Sequence, residues 1–262
     1  MRRSRVIRRL LAWVKALAAA FFLISAAVIV AYRFVAPPFT PLMVVRVVEG
    51  LGAHRWVGVT KRWVDVEHVS PMLLRAVLAA EDGRFFRHHG VDLDALRRAA
   101  TYNARHRGRR LRGAGTITMQ CARNVFLWQG RSYVRKALEI TLSPVLELAW
   151  GKRRILEVYL NVIEWGDGLY GVEAAAERYF GVSAAQLDAG QSALLAAALP
   201  DPRRSNPAAP SRYLAARAVI ISLRAERVQL DGPAIRRRTG ARRGLKTSKS
   251  KAVPISSQRV TS

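Results

Sequence analysis

A single cysteine, Cys121, stands among 262 residues. It permits no intramolecular disulfide and no thiolate metal cluster, and it leaves the redox compartment open. Acidic residues are scarce as well: 18 Asp and Glu face 44 Lys and Arg, a net charge of +26. His88 and His89 come without the HExxH spacing of a metalloprotease helix, so a metal reading of the pair finds little support. No repeat with a period of roughly 20 to 50 residues is visible, which argues against a solenoid or an array.

The surplus of positive charge is unevenly spread. Residues 1–32 carry six basic side chains and no acid, and residues 231–262 carry nine basic side chains and one acid. The part between them is still net basic, which points to a polyanionic partner such as phosphate, anionic lipid or nucleic acid. The last segment, rich in Arg, Lys, Ser and Thr from Gly232 onward, has the composition of a disordered tail.

After MRRSRVIRRL the chain reads LAWVKALAAAFFLISAAVIVAY, uncharged from Ala16 to Tyr32. Counted from Leu10, the run approaches the roughly 20 residues that a bilayer requires, and Lys15 can snorkel to the headgroups. Small residues from Ser25 to Ala27 allow a cleavable signal peptide as the competing reading. The apolar run continues past them through Val28, Ile29, Val30 and Ala31, which favours an anchor. Five arginines precede the span and Arg33 follows it, so the N-terminus is expected in the cytoplasm and everything beyond Arg33 outside. This makes nucleic acid an unsuitable partner for the basic domain.

The expected organisation is a basic end and anchor over 1–33, a membrane-proximal linker over 34–69, a catalytic domain over 70–230 and a tail over 231–262. The linker contains APPFTP and two β-like runs, MVVRVVEG and HRWVGVTKRWVDV. From Ser70, a cap followed by Pro71 at the first helical position, the chain reads as helix after helix. The expected runs are Pro71 to Asp82, Asp92 to Arg105, Thr116 to Leu127, Tyr133 to Trp150 with Pro144 inside it, Lys152 to Ile163, Val172 to Phe180, Ala184 to Ala198 and Ser211 to Val228, with Ser183 and Gln186 forming a capping box.

In the helix from Pro71, Leu74, Val77, Leu78 and Glu81 share one face, so Glu81 extends an inward-facing stripe. The negative end of the helix dipole and partial burial both disfavour a charged carboxylate there. A group that accepts and returns a proton near neutral pH needs such a setting. Pairing of Glu81 with one of the many arginines is the plainer alternative, and Asp82 reads equally as a cap or a hinge. Downstream, Arg112, Arg123, Arg131, Arg135 and Lys136 are interleaved with Thr116, Thr118, Gln120 and Asn124. Gly113-Ala114-Gly115 leaves backbone amides open to an anion just before a helix start. Arg135 and Glu139 are four apart, so a structural ion pair competes with a pyrophosphate-binding reading of Glu139, with or without a divalent ion between carboxylate and phosphates.

Taken in order, these motifs resemble those of a known family. EDxxFxxHxGxD is present as Glu81, Asp82, Phe85, His88, Gly90 and Asp92; an RGASTISQQ-like block runs from Arg112 to Gln120; RKxxE is Arg135, Lys136 and Glu139. Lys152 to Phe180 is similar to that family's KxxILxxYLN and GxxxGxxxAAxxYF blocks. These are motifs of the peptidoglycan glycosyltransferases found in class A penicillin-binding proteins, and the chain resembles most the monofunctional biosynthetic transglycosylases of Gram-negative bacteria. No SxxK-to-KTG set of a transpeptidase follows.

The resemblance implies a mainly α, lysozyme-like, two-lobed domain with a membrane-hugging jaw behind one N-terminal transmembrane helix, in the bacterial inner membrane with the catalytic domain periplasmic. It implies polymerisation of lipid II into glycan strands. Glu81 is then expected as the base and Glu139 as the second catalytic carboxylate. Phe85, Thr116, Gln120, Arg123, Arg131, Lys136 and Asn161 are expected to bind substrate, whereas Tyr159 reads better as packing. No cofactor is required by this reading; magnesium or manganese at Glu139 stays open. Expected partners are lipid II, the growing strand, the membrane and other cell-wall synthesis proteins. The chain departs from the family at Gly115, usually serine, at Met119, usually glutamine, and at Arg123, usually lysine. Arginine keeps the charge, while the other two are expected to remove polar groups from the cleft. A lytic enzyme of similar fold and a catalytically impaired membrane scaffold stand as alternatives.

Overall fold

A computed structural model describes residues 2–54, 58–106, 113–130 and 132–230. The tail over 231–262 lies outside the described residues, as do Arg112 and Arg131. Nine α-helices are described: α1 Arg2–Phe34, α2 Pro41–Gly52, α3 Pro71–Glu81, α4 Leu93–Arg105, α5 Ile117–Phe126, α6 Tyr133–Val162, α7 Val172–Phe180, α8 Ala189–Ala198 and α9 Arg212–Ala225. Three short strands, β1 Thr60–Lys61, β2 Glu164–Gly166 and β3 Leu169–Tyr170, form one small sheet in the order β1-β3-β2. The fold is therefore mainly α.

α1 contains a span of 25 residues, Leu10–Phe34, long and apolar enough to cross a membrane. Its C-terminal end is fastened to the middle of α6. The Trp150 indole N–H donates to the Ile29 carbonyl at 2.7 Å, and the Arg154 guanidinium donates to the carbonyls of Tyr32 at 2.8 Å and Val35 at 2.7 Å. Of these, the Tyr32 carbonyl lies in the last turn of α1, where carbonyls have no intrahelical partner.

The segment MVVRVVEG, expected as β-like, is helical. Thr40 caps α2 by accepting from the Met43 N–H at 3.4 Å, and Pro41 presets the first turn. Burial of Leu42 and Met43 against Tyr170 then outweighs the strand preference of four valines. Within HRWVGVTKRWVDV only Thr60 and Lys61 form a strand, paired parallel with β3, and 55–57 lie outside the described residues.

The break expected between Trp150 and Lys152 is present: Gly151 has φ 70° and ψ 167° and kinks α6. The run expected from Ala184 to Ala198 is divided. A 3₁₀ turn, Ala184–Gln186, ends before Asp188, whose side chain caps α8 by accepting from the Gln191 N–H at 2.8 Å. The Ser183 N–H does bond the Gln186 side chain, at 3.2 Å, as the capping box requires.

α5 packs along α6, and α3, α8 and α9 pack on one another. The alanine-rich α8, with Ala193, Ala196, Ala197 and Ala198 buried, lets these helices approach closely. One continuous core joins both groups.

Candidate active site

Glu81 is the last residue of α3, and Leu74, Val77 and Leu78 on the same stripe are 2%, 0% and 1% exposed. The helix is fixed at its start by the Ser70 hydroxyl, which accepts from the Met72 N–H at 3.3 Å and donates to the Leu187 carbonyl at 2.7 Å. The stripe thus delivers Glu81, half-buried, to the mouth of a cleft of about 570 Å³. Gln120, Arg123, Lys136 and the loop Gly113 to Gly115 line the same cleft.

The Gln120 side-chain amide donates to Glu81 Oε2 at 2.8 Å. Its carbonyl oxygen accepts from the Tyr159 hydroxyl at 3.3 Å. Burial, and then the charge of Glu81, pushes the Tyr159 phenol well above its ordinary value, so it stays protonated and acts as a donor. The orientation of the Gln120 amide is thereby settled from behind, and its N–H is left for the carboxylate. Among the described residues this is the one hydrogen bond to Glu81.

Asp82, the next residue, is buried and turned elsewhere. Its carboxylate accepts from His88 Nε2 at 3.0 Å and from the Ile117 N–H at 3.0 Å. Asp82 is the C-cap of α3, one of the two roles the sequence suggested, and its side chain also ties the end of α3 to the start of α5. Thr116 reinforces the joint: its hydroxyl caps α5 by accepting from the Met119 N–H at 3.1 Å and donates to the Gly90 carbonyl at 2.5 Å.

Glu139 lies deep, 3% exposed, and accepts from the Arg135 guanidinium and from Lys136 Nζ, the latter at 3.1 Å. Arg135 is also buried and donates to the Gly130 carbonyl at 2.6 Å. The i, i+4 ion pair is thus real. The Lys136 ammonium bridges Glu139 and the cleft.

The expected site residues therefore separate. Glu81, Gln120, Arg123 and Lys136 share one cleft, with Glu139 behind Lys136. Phe85, at 1% exposure, is core beneath the Lys152 ammonium, 4.4 Å from its ring centroid. Thr116 is a buried cap, and Asn161, at 0% exposure, accepts from the Val64 N–H at 2.9 Å and donates to the Val64 carbonyl at 2.8 Å. None of these three lines the cleft in this conformation, because their polar or aromatic groups are consumed in packing and chain pairing. Arg131 lies outside the described residues.

The departures from the resembled motif also separate. A Cβ at Gly115 meets only Lys136 Nζ, at 3.8 Å, so this glycine opens the cleft. Met119 is 0% exposed, and the change there alters the core instead of the cleft.

Beyond Gln120 and Arg123 the cleft continues into a second cavity of about 170 Å³, which shares those residues together with Leu199 and Pro200. Arg46 of α2, Asn124 and Gln129 line this extension. Arg46 donates to the buried Glu164 at 2.9 Å, and burial raises the Glu164 carboxyl although Arg46 opposes it. Arg46 was hidden in the sequence because its segment read as ribbon.

Glu139, the carboxylate expected to meet a divalent ion, is already paired with two cations. No group of three or more His, Cys, Asp or Glu side chains able to hold a metal occurs among the described residues. The described residues around Glu139 therefore do not fit a protein-held metal centre.

The family described as Transglycosylase matches residues 51–226. A biosynthetic peptidoglycan transglycosylase of Rhodospirillum centenum is 47% identical over 227 residues, covering 87% of this chain and 95% of the relative. Proteins of the same description from Caulobacter vibrioides, 48% identical over 87% of this chain and 97% of the relative, and from Bdellovibrio bacteriovorus, 48% identical over 78% and 81%, are equally similar. With the match spanning α3 to α9 and every residue that lines the Glu81 cleft itself, the chain belongs to the transglycosylase family.

Proposed function

We propose that the chain polymerises peptidoglycan glycan strands from lipid II, with Glu81 as the base. The observation that carries this reading is the half-buried carboxylate, oriented by Gln120, in one cleft with the Arg123 and Lys136 cations. In the reaction, Glu81 takes the proton of the GlcNAc 4-hydroxyl on lipid II as that oxygen attacks the anomeric carbon of the lipid-linked end of the growing strand. The bond from that carbon to the pyrophosphate breaks, its electron pair leaves with undecaprenyl pyrophosphate, and configuration inverts.

Lys136 and Arg123 offset the charge that develops on the leaving group. Glu139, fixed by its ion pair with Arg135, holds Lys136 in place from behind, which makes Glu139 a positioning residue instead of one in contact with the reacting atoms. No step needs a metal. The apolar span of α1, fastened to α6, fits an anchor that keeps the cleft at the surface where a lipid-linked substrate resides. We place the protein as a single-pass component of the bacterial inner membrane with its cleft on the periplasmic side, following the arginine asymmetry about α1.

The test is incubation of the full chain with fluorescent lipid II. Polymer accompanied by stoichiometric lipid pyrophosphate supports the reading. Shortening of preformed glycan without consumption of lipid II would instead show a lytic enzyme.

A further inference from the structure

A separate cavity, of about 520 Å³, shares no lining residue with the Glu81 cleft. Its floor is apolar: Leu78 and Phe85 are buried, Phe86 and Val228 half-buried. Its rim carries Arg84, Arg87, Arg224 and Arg227. Arg84 is engaged with Asp92 at 3.4 Å and Asp94 at 3.0 Å. Arg87, Arg224 and Arg227 have no ion-pair partner among the described residues. The one acid on the lining, Asp82, is turned inward to His88 and Ile117.

Unpaired guanidinium groups around an apolar floor repel one another until an anion joins them. Their planar donors match a phosphate diester on an apolar body better than a small diffuse ion. The segment that follows Leu230 has the wrong sign to be that anion, with nine basic residues against one acid.

The cavity is linked to the anchor through α6 by two side-chain contacts. Phe85 of the floor lies under Lys152, and two residues earlier Trp150 holds Ile29 of α1. Resting on the reading of a membrane-anchored polymerase, we propose that this cavity binds the phosphate headgroup of an anionic phospholipid, with the glycerol and upper acyl carbons against Leu78, Phe86 and Val228. Its walls, Leu78 and Ala79 on one side and Asp82 to Arg87 on the other, flank Glu81 in the chain. A bound headgroup steadies the end of α3 and so couples lipid composition to turnover.

The experiment compares the full chain with Arg224→Glu/Arg227→Glu in vesicles of phosphatidylcholine alone and of phosphatidylcholine with phosphatidylglycerol. Both residues are exposed and leave the core untouched. Polymerisation in the neutral vesicles tests the function itself, and both proteins are expected to show the same basal rate there. With phosphatidylglycerol the wild type is expected to gain several-fold in rate and the variant nothing. In native mass spectrometry from detergent the wild type retains phosphatidylglycerol and the variant does not. Arg178→Glu/Arg212→Glu, the same charge change elsewhere, keeps the gain. Equal stimulation of wild type and Arg224→Glu/Arg227→Glu overturns the proposal. Stimulation of the wild type by inorganic phosphate in neutral vesicles overturns the lipid as the source of the anion.

Discussion

Gln120→Leu isolates the contact that orients the base. Leucine has nearly the volume of glutamine, so the helix and its packing persist, while two hydrogen bonds vanish: the 2.8 Å bond to Glu81 Oε2 and the 3.3 Å bond from the Tyr159 hydroxyl. The first is made to a charged group and is worth about 1.5 to 3 kcal/mol if fully used in the transition state. That corresponds to a loss of about ten- to a hundredfold in kcat. The second leaves the Tyr159 hydroxyl buried without a partner, which costs about 1 to 3 kcal/mol of stability. Tyr159→Phe removes only this outer bond, so it should lower the rate much less than Gln120→Leu. The assay is continuous polymerisation of labelled lipid II with kcat and KM resolved, alongside thermal unfolding in the same detergent. A positioning role predicts that kcat falls while KM changes little. A folded Gln120→Leu protein that turns over at the wild-type rate would refute the claim that this amide sets the base.

Arg123 makes only a long 3.4 Å contact to the Asn124 side chain among the described residues, so its charge is available to a phosphate. Arg123→Ala should reduce polymerisation by about ten- to a hundredfold, and Arg123→Lys should restore most of it, measured as polymer yield. Gly90 has φ +86°, and a Cβ there would stand 2.7 Å from the Ser143 backbone, so Gly90→Ala should destabilise the protein by about 2 to 4 kcal/mol, read as a lower denaturation midpoint. Hydrogen bonds from Arg153 at 2.5 and 2.6 Å hold the Glu67 carboxyl below its usual range. Its folded value is depressed, so this pair adds stability above the ordinary carboxylate range and loses it as pH falls through the depressed value. Glu67→Gln should therefore flatten part of the acid limb of a melting-temperature profile, and an unchanged profile would remove the pair from the account.

The part of the fold governed by local pattern was legible in the sequence. The 3.6-residue stripe that ends in Glu81, the Ser70-Pro71 start, the Gly151 break and the long apolar α1 are all decided within a few residues of themselves. α2 was not, because four valines read as strand until Leu42 and Met43 find Tyr170, a contact made across more than a hundred positions. The same limit governs the site. Motif order pointed to Glu81, Gln120, Arg123 and Lys136, but the bond from Gln120 to Glu81 joins residues 39 apart and had no local signature. Phe85, Thr116 and Asn161 sit within the same motifs and were expected in the cleft. Burial decides otherwise for them in this conformation: each satisfies a neighbour's backbone or fills the core, a distinction that residue type alone does not carry.

The central claim is that the Glu81 carboxylate removes the acceptor proton. Glu81→Gln keeps the shape of the side chain and removes that capacity, while the Gln120 amide can still find an acceptor in the new carbonyl. Polymer formation from lipid II by this variant, measured beside wild type with thermal stability matched, is the most direct test. The account predicts a folded protein that binds lipid II and makes no polymer; substantial turnover by a folded Glu81→Gln protein would contradict it and move the base to another group.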